Sequence, residues 1–183
     1  MEKNSNEALV QAAKAGDLAA FDELIRRHNQ ALYSFIYRMV SDPADAEELT
    51  QEAWVKAWRA LGGFKGKSEF KTWLFKIGMN LAFNLKKRRK PAEELSEILP
   101  AANKVEPVAV FEQKRREQVI QAALAQLPPD QRTALVLNIY EGMSYQEIAR
   151  VMGRSVRAVD ALLFRAKTNL RQILTPARKK GIL

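Results

Sequence analysis

Cysteine does not occur in this chain of 183 residues, and histidine occurs once. The first absence excludes a disulfide framework, a thiolate zinc site and a cysteine nucleophile, and it accords with a reducing, cytoplasmic location. A lone histidine cannot build a metal centre; His28 stands beside Arg26 and Arg27 on an amphipathic stretch, where exposure to solvent is expected. No run of about 18 apolar residues occurs, which excludes a spanning helix. The polar opening MEKNSNEALVQAAKAGD lacks the apolar centre of a secretion signal. Strand-like alternation is missing as well. So is a glycine-rich phosphate loop, and the acids show no pairing with a base or a nucleophile. The expectation is a soluble chain with no cofactor, no metal, no small-molecule substrate and no catalytic residue, hence not an enzyme.

What is present is positive charge. Thirty Lys and Arg stand against 21 Asp and Glu, a formal net charge of +9, which points to a polyanionic partner, either nucleic acid or an acidic membrane face. Hydrophobic residues make up 47%, enough for a packed interior in one ordinary domain or two small ones.

The most informative stretch is Ser144 to Lys167, SYQEIARVMGRSVRAVDALLFRAK. Ile148, Ala149, Met152, Val156, Val159, Leu162, Leu163 and Ala166 fall at helical spacing on either side of Gly153-Arg154-Ser155, where the period breaks. Ser144 with Glu147 has the form of a capping box. Gly153 suits the positive φ of a helix end, and Ser155 suits the next N-cap. Ala149 is small enough to let two axes approach. The product is a helix-turn-helix with Ser155 to Leu170 as the second, recognition helix. Its exposed face carries Arg154, Arg157, Arg165, Lys167 and Arg171 against one acid, Asp160, a density that suits phosphates and guanine edges. A plain helical hairpin with a solvated basic face has the same spacing.

The rest of the chain is also helical in period. Asn4 with Glu7 can cap a first helix ending near Gly16; Asp17 can cap a second through Phe21, Leu24, Ile25, Leu32, Phe35, Ile36 and Met39. Asp42 and Pro43 then form a cap and first-turn pair. Pro43 to Leu61 buries Leu49, Ala53, Trp54, Ala57 and Leu61, with Asp45, Glu47, Glu48, Gln51 and Glu52 on the other side. After Gly62-Gly63 comes the basic loop Phe64-Lys65-Gly66-Lys67, a cap at Ser68, and a helix through Phe70, Trp73, Leu74, Ile77, Leu81 and Leu85 that ends in Lys86-Lys87-Arg88-Arg89-Lys90. Between Pro91 and about Val110 the period fades and acids outnumber Lys104, which reads as a flexible linker, with an ordered surface loop as the alternative. A second lobe follows: a helix to Leu127, a turn at Pro128-Pro129-Asp130, a buried helix through Leu135, Val136 and Ile139, the helix-turn-helix, and a frayed basic tail at Arg178-Lys179-Lys180. The fold class is therefore all-α, with residues 1–90 and 110–183 as two small helical domains and 91–109 as the linker.

Three stretches in this order resemble one family, the alternative sigma factors of bacterial RNA polymerase, in the small extracytoplasmic-function group of the sigma-70 family. They are DPADAEELTQEAWVKAWRAL (Asp42 to Leu61), FKGKSEFKTWLFKIGMNLAFNLKKRR (Phe64 to Arg89) and LPPDQRTALVLNIYEGMSYQEIARVMGRSVRAVDALLFRAKTNL (Leu127 to Leu170). The resemblance covers most of the chain. It implies a transcription-initiation role: the first stretch docks core RNA polymerase, the second melts and reads the minus-ten element of promoter DNA, the third reads minus-thirty-five, and an anti-sigma factor holds the free protein.

The residues agree with these roles. Glu48, Gln51 and Glu52 share one face at spacings of three and four; the resemblance makes that face the polymerase contact, although a merely solvated acidic face looks the same. Phe64, Lys65, Lys67, Ser68, Phe70, Lys71 and Asn80 combine stacking surface, cations and edge-reading groups, as a flipped single-stranded base requires; the resemblance places the minus-ten pocket here. Phe70, Trp73 and Leu74 suit a core equally well, and for Trp73 and Leu74 burial is the expected role. Arg154, Ser155, Arg157, Asp160, Ala161, Arg165 and Lys167 are the minus-thirty-five candidates. Asp160 stands where many relatives carry a basic residue, which puts the usual minus-thirty-five sequence in question; it can accept from cytosine N4, pair with Arg157 or cap the helix. The housekeeping relatives' adjacent tryptophans are absent, Trp54, Trp58 and Trp73 being scattered, and the resemblance then implies stringent promoters. A stand-alone helix-turn-helix regulator is the rival, but it leaves Asp42 to Leu61 without a role.

Overall fold

Capping chemistry decides where each helix begins. A computed structural model describes residues 5–89 and 108–179, and among them every regular element is helical. α1 (Asn6–Lys14) starts at Ser5, whose Oγ accepts from the Ala8 N–H at 3.2 Å. The cap is Ser5 rather than the expected Asn4, which lies outside the described residues. α2 (Leu18–Val40) starts at Asp17, which accepts from Ala20 N–H at 3.1 Å. α3 (Pro43–Ala60) starts at Asp42, which accepts from Asp45 N–H at 2.8 Å with Pro43 in the first turn, and a 3-10 turn at Leu61–Gly63 follows. α4 (Phe70–Arg89) begins after Glu69, one residue beyond the expected cap at Ser68.

α5 (Val108–Ala125) begins two residues before the expected start of the second lobe at Val110; the rest of that acidic stretch, Pro91 to Pro107, lies outside the described residues. α6 (Pro129–Ile139) leads to α7 (Tyr145–Met152). Both halves of the capping box are made: Glu147 N–H donates to Ser144 Oγ at 3.3 Å, and Ser144 N–H donates to Glu147 Oε2 at 2.7 Å. Gly153 takes φ 64°, the left-handed conformation that a side chain would strain. α8 (Val156–Lys179) starts at Ser155, whose Oγ accepts from Ala158 N–H at 3.2 Å. It runs on through Pro176, so Arg178 and Lys179 of the expected frayed tail are helical, while Lys180 lies outside the described residues. Leu170 and Ile173 pack on the core and hold that extension in place.

Helical spacing then builds the interior. In the first lobe, Leu24, Leu32, Phe35, Ile36 and Met39 of α2 meet Leu49, Ala53 and Ala57 of α3 and Leu74, Phe75 and Ala82 of α4. Each large side chain buried there contributes about 1.5–3 kcal/mol. Gly78 of α4 makes the closest approach: a Cβ there would stand 2.9 Å from Leu32 Cδ1 and 3.4 Å from Ile36 Cδ1. In the second lobe, Leu124, Leu127, Leu135, Leu137, Ile148, Val151, Val159, Leu163 and Ala166 are buried.

Three expectations about exposure are overturned. His28 is only 8% exposed, because it stands four residues from Leu24 and from Leu32 on the buried stripe of α2; its ring lies 5.7 Å from that of Phe70. Burial, with Lys71 and Arg27 nearby, lowers its pKa and favours the neutral imidazole. Ile139 is 56% exposed rather than buried, since the enclosed part of α6 ends at Leu137. Asp45 does not belong to the solvated face of α3: it is buried and bound by both guanidinium nitrogens of Arg89.

The two lobes touch. α7 packs along α4, with Lys71 Nζ 3.2 Å from Glu141 Oε2 and donating to Glu141 O at 3.0 Å. Arg132 of α6 donates to Met39 O at 3.0 Å. Gln121 of α5 donates to Tyr37 O and Ser41 Oγ, each at 3.1 Å, and the Arg38 guanidinium lies 3.9 Å over the Tyr140 ring.

Candidate nucleic-acid and protein interfaces

On α3 the turns that bury Leu49, Ala53 and Ala57 leave the opposite side outward. Glu48 and Gln51 are exposed there, while Glu52 is half-buried and paired with Lys56 at 3.1 Å. The same face carries two apolar side chains the sequence reading missed. Val55 is exposed, and Trp58 is also open to solvent while resting 4.8 Å from the Phe21 ring. The face is thus acidic at one end and apolar at the other, a composition suited to a protein partner rather than to water alone. The signal was the spacing of Gln51, Val55 and Trp58.

Beyond α3, the Phe64 loop is tied to α1 by Lys14 Nζ, which donates to Phe64 O at 3.0 Å, and turned by Gly66 at φ 67°. Lys65 and Lys67 project outward and Ser68 is half-buried. Phe70 is 3% exposed. Its ring supports the loop from below, edge-on to Phe64 with centroids 6.3 Å apart and 5.7 Å from Trp73. Trp73 in turn lies 4.9 Å from Phe64 and also lines a groove of about 410 Å³ between α3 and α4. Lys56, Arg59, Asn80 and Asn84 share that groove. Asn80 and the loop residues are therefore joined through Trp73, and Lys56, Arg59 and Asn84 are additions that needed the α3–α4 packing to be seen. Leu74 is fully buried, as expected. Lys71 points the other way, into Glu141.

In the helix-turn-helix, Arg157, Asp160, Ala161, Arg165 and Lys167 are all exposed on α8. Arg165 Nε donates back to Ala161 O at 3.2 Å. Arg154 is held by Asp130 at 2.7 Å, and Ser155 is occupied as the N-cap. Asp160 forms no ion pair among the described residues, so the suggested pairing with Arg157 is not made. Phe164 was missed and is 73% exposed. With Val156 and Asp160 it recurs every four residues, an apolar, acidic, apolar row beside the arginines. The signal was its register: the buried series is Val159, Leu163 and Ala166, and Phe164 falls outside it.

A carboxylate and tryptophan face, a basic aromatic groove and an arginine-rich helix follow one another in that order along one helical, two-lobed chain. The chain belongs to the sigma-70 family: residues 24–91 match the model for Sigma-70 region 2 and residues 117–170 that for Sigma-70, region 4. Within it the chain falls in the extracytoplasmic-function group. It is 35% identical to the RNA polymerase sigma-H factor of Pseudomonas aeruginosa, over 99% of this chain and 100% of that one. It is 33% identical to the ECF RNA polymerase sigma-E factor of Escherichia coli K12, over 91% and 92%. Among solved structures it is similar to CnrH in complex with the cytosolic domain of CnrY, with TM-score 0.73, 29% identity and 92% and 96% coverage. It is also similar to the sigma factor RpoE in complex with the anti-sigma factor NepR from Bartonella quintana, with TM-score 0.69, 25% identity and 84% and 96% coverage.

Proposed function

We propose that this chain directs core RNA polymerase to promoters, gripping the enzyme through the α3 face, the minus-ten strand through the Phe64 loop and the α3–α4 groove, and the minus-thirty-five duplex through α8. The observation that carries the reading is the order of these three surfaces on one chain. Glu48, Gln51 and Glu52 supply charge to the polymerase contact, and Val55 and Trp58 supply its apolar part. A base taken from the stack costs a few kcal/mol, which stacking on Phe64 or Trp73 offsets at about 1–3 kcal/mol per base. Asn80 and Asn84, which line the groove, read its edge, while Lys56, Arg59, Lys65 and Lys67 meet phosphates. Phe70 acts from beneath by fixing Phe64. On α8, Arg157 and Arg165 approach base edges or phosphates, Arg154 and Lys167 flank the duplex, Ala161 leaves room, and Val156 and Phe164 offer apolar contact to thymine methyl groups. An anti-sigma factor is the partner that holds the free chain, and the site is cytoplasmic. None of these steps makes or breaks a covalent bond, so the chain acts by binding rather than as an enzyme.

Run-off transcription with core polymerase and a promoter library tests the proposal. Promoter-specific transcripts are expected, and they should vanish when Glu48 and Glu52 are both changed to Lys. If core polymerase ignores the chain, or if the reversed variant still directs transcription, the chain is a helix-turn-helix regulator that works without polymerase.

A further inference from the structure

We propose that Asp160 is a specificity-determining residue of α8, accepting a hydrogen bond from the exocyclic amino group of one cytosine in the minus-thirty-five duplex. This rests on the proposed promoter function and adds to it the identity of a base.

Charge makes Asp160 the odd member of its helix. From Ile148 to Leu183 the sequence holds nine Lys and Arg and one acid. A carboxylate on a face that meets phosphates is repelled by them, so it weakens binding to every duplex unless a base donates to it. The other roles open to this side chain are not taken up. Ser155 already caps α8, and Asp160 is the fifth residue of that helix, past the first turn, where free N–H groups favour an acid. Arg157 lies three residues back, within reach of an ion pair, yet none is formed among the described residues. Arg165 turns back to Ala161 O at 3.2 Å, and Lys167 stands about two turns further on. Asp160 is therefore exposed with a carboxylate that has no partner among the described residues.

The major groove then selects the base. An ionised carboxylate only accepts, so the O6 and N7 of guanine and the O4 of thymine repel it. Cytosine N4 and adenine N6 can both donate, but adenine sets its N7 acceptor beside the amino group, whereas cytosine has a C–H there. Cytosine is the one base that offers a donor without an opposing lone pair. Val156 and Phe164, exposed one turn before and one turn after Asp160, shield the contact from water, and a lower local dielectric strengthens it.

Selection of duplexes from a pool randomised over the minus-thirty-five element tests the assignment, with the full chain alone and with core polymerase. The unaltered chain should favour cytosine at one position about tenfold over each other base. Asp160→Ala should reduce that preference below about twofold while raising affinity for the remaining sequences, because repulsion from phosphates is relieved. Asp160→Asn should move the preference to adenine, which an amide can hold through N6 and N7. Replacing the selected cytosine with a pyrimidinone that lacks the exocyclic amino group should weaken binding of the unaltered chain about tenfold and leave Asp160→Ala unaffected. A cytosine preference that survives in Asp160→Ala, no cytosine preference at any position, or an equal pyrimidinone penalty in both chains overturns the assignment. An alanine variant that gains affinity uniformly, with no change in base preference, also overturns it and leaves Asp160 a solvated charge. Selection by the chain alone, with none through polymerase, counts against the proposed function only.

Discussion

Replacing Arg132 with methionine should cost about 2–4 kcal/mol, a loss that can be worked out from its partners. The guanidinium is buried, which lowers its pKa, and it donates to three carbonyls: Met39 O at 3.0 Å, Leu127 O at 3.3 Å and Ala125 O. Two of these lie at the C-terminal end of α5, where helix carbonyls have no partner of their own. Bonds from a charged donor contribute about 1.5–3 kcal/mol each, roughly 5–9 kcal/mol together. Taking the guanidinium out of water costs several kcal/mol in return, and its Nε finds no partner, which leaves the net figure above. Methionine fills much of the volume but abandons all three oxygens. Urea unfolding followed by far-ultraviolet circular dichroism should show the midpoint falling by about 1–2 M, for a slope near 2 kcal/mol/M, with the second lobe melting first. Arg132→Lys should recover little, because an ammonium cannot fork across three acceptors. A loss below about 1 kcal/mol, or full stability in the lysine variant, would refute this accounting.

Lys86 should behave in the opposite sense. Its pKa is about 8 in the folded chain against the usual 10.5, so the unfolded chain holds that proton more tightly and stability should rise between pH 8 and 10.5. Lys86→Met should therefore gain about 1–2 kcal/mol at pH 7 and abolish that rise, as denaturation across pH would reveal; a destabilised variant would contradict the assignment. Gly153→Ala should cost about 1–2 kcal/mol in thermal melting because φ is 64°, and an unchanged melting temperature would show that the turn relaxes. Arg165→Ala should cost roughly 1–3 kcal/mol and relax one promoter position, whereas a uniform loss over all sequences would confine it to phosphate. Asn80→Ala should impair open-complex formation more than duplex binding; equal effects on both would remove it from the base pocket.

Local chemistry was legible where one residue sufficed to cause it. Asp17, Asp42, Ser144 and Ser155 all cap where their side chains predicted, and Gly153 ends α7. Polarity misled where the helical register outweighed it. His28 reads as solvent-facing by charge and as core by spacing, and spacing won. Asp45 looked like its acidic neighbours until the end of α4 brought Arg89 to it, a meeting 44 residues apart that no local pattern encodes. The groove shared by Lys56, Arg59 and Asn80 was hidden for the same reason. Phe164 was readable in principle, since its place outside the buried series was already in the spacing.

Gly78 carries one more consequence. Because even a methyl group would press on Leu32 and Ile36 there, the two longest rods of the front half are keyed together like a shaft in its slot. That close approach of α4 to α2 sets the azimuth of Asn80, two positions further on. The DNA strand would then meet a helix whose facing is set by packing and a loop that Lys14 ties to α1 at Phe64 O.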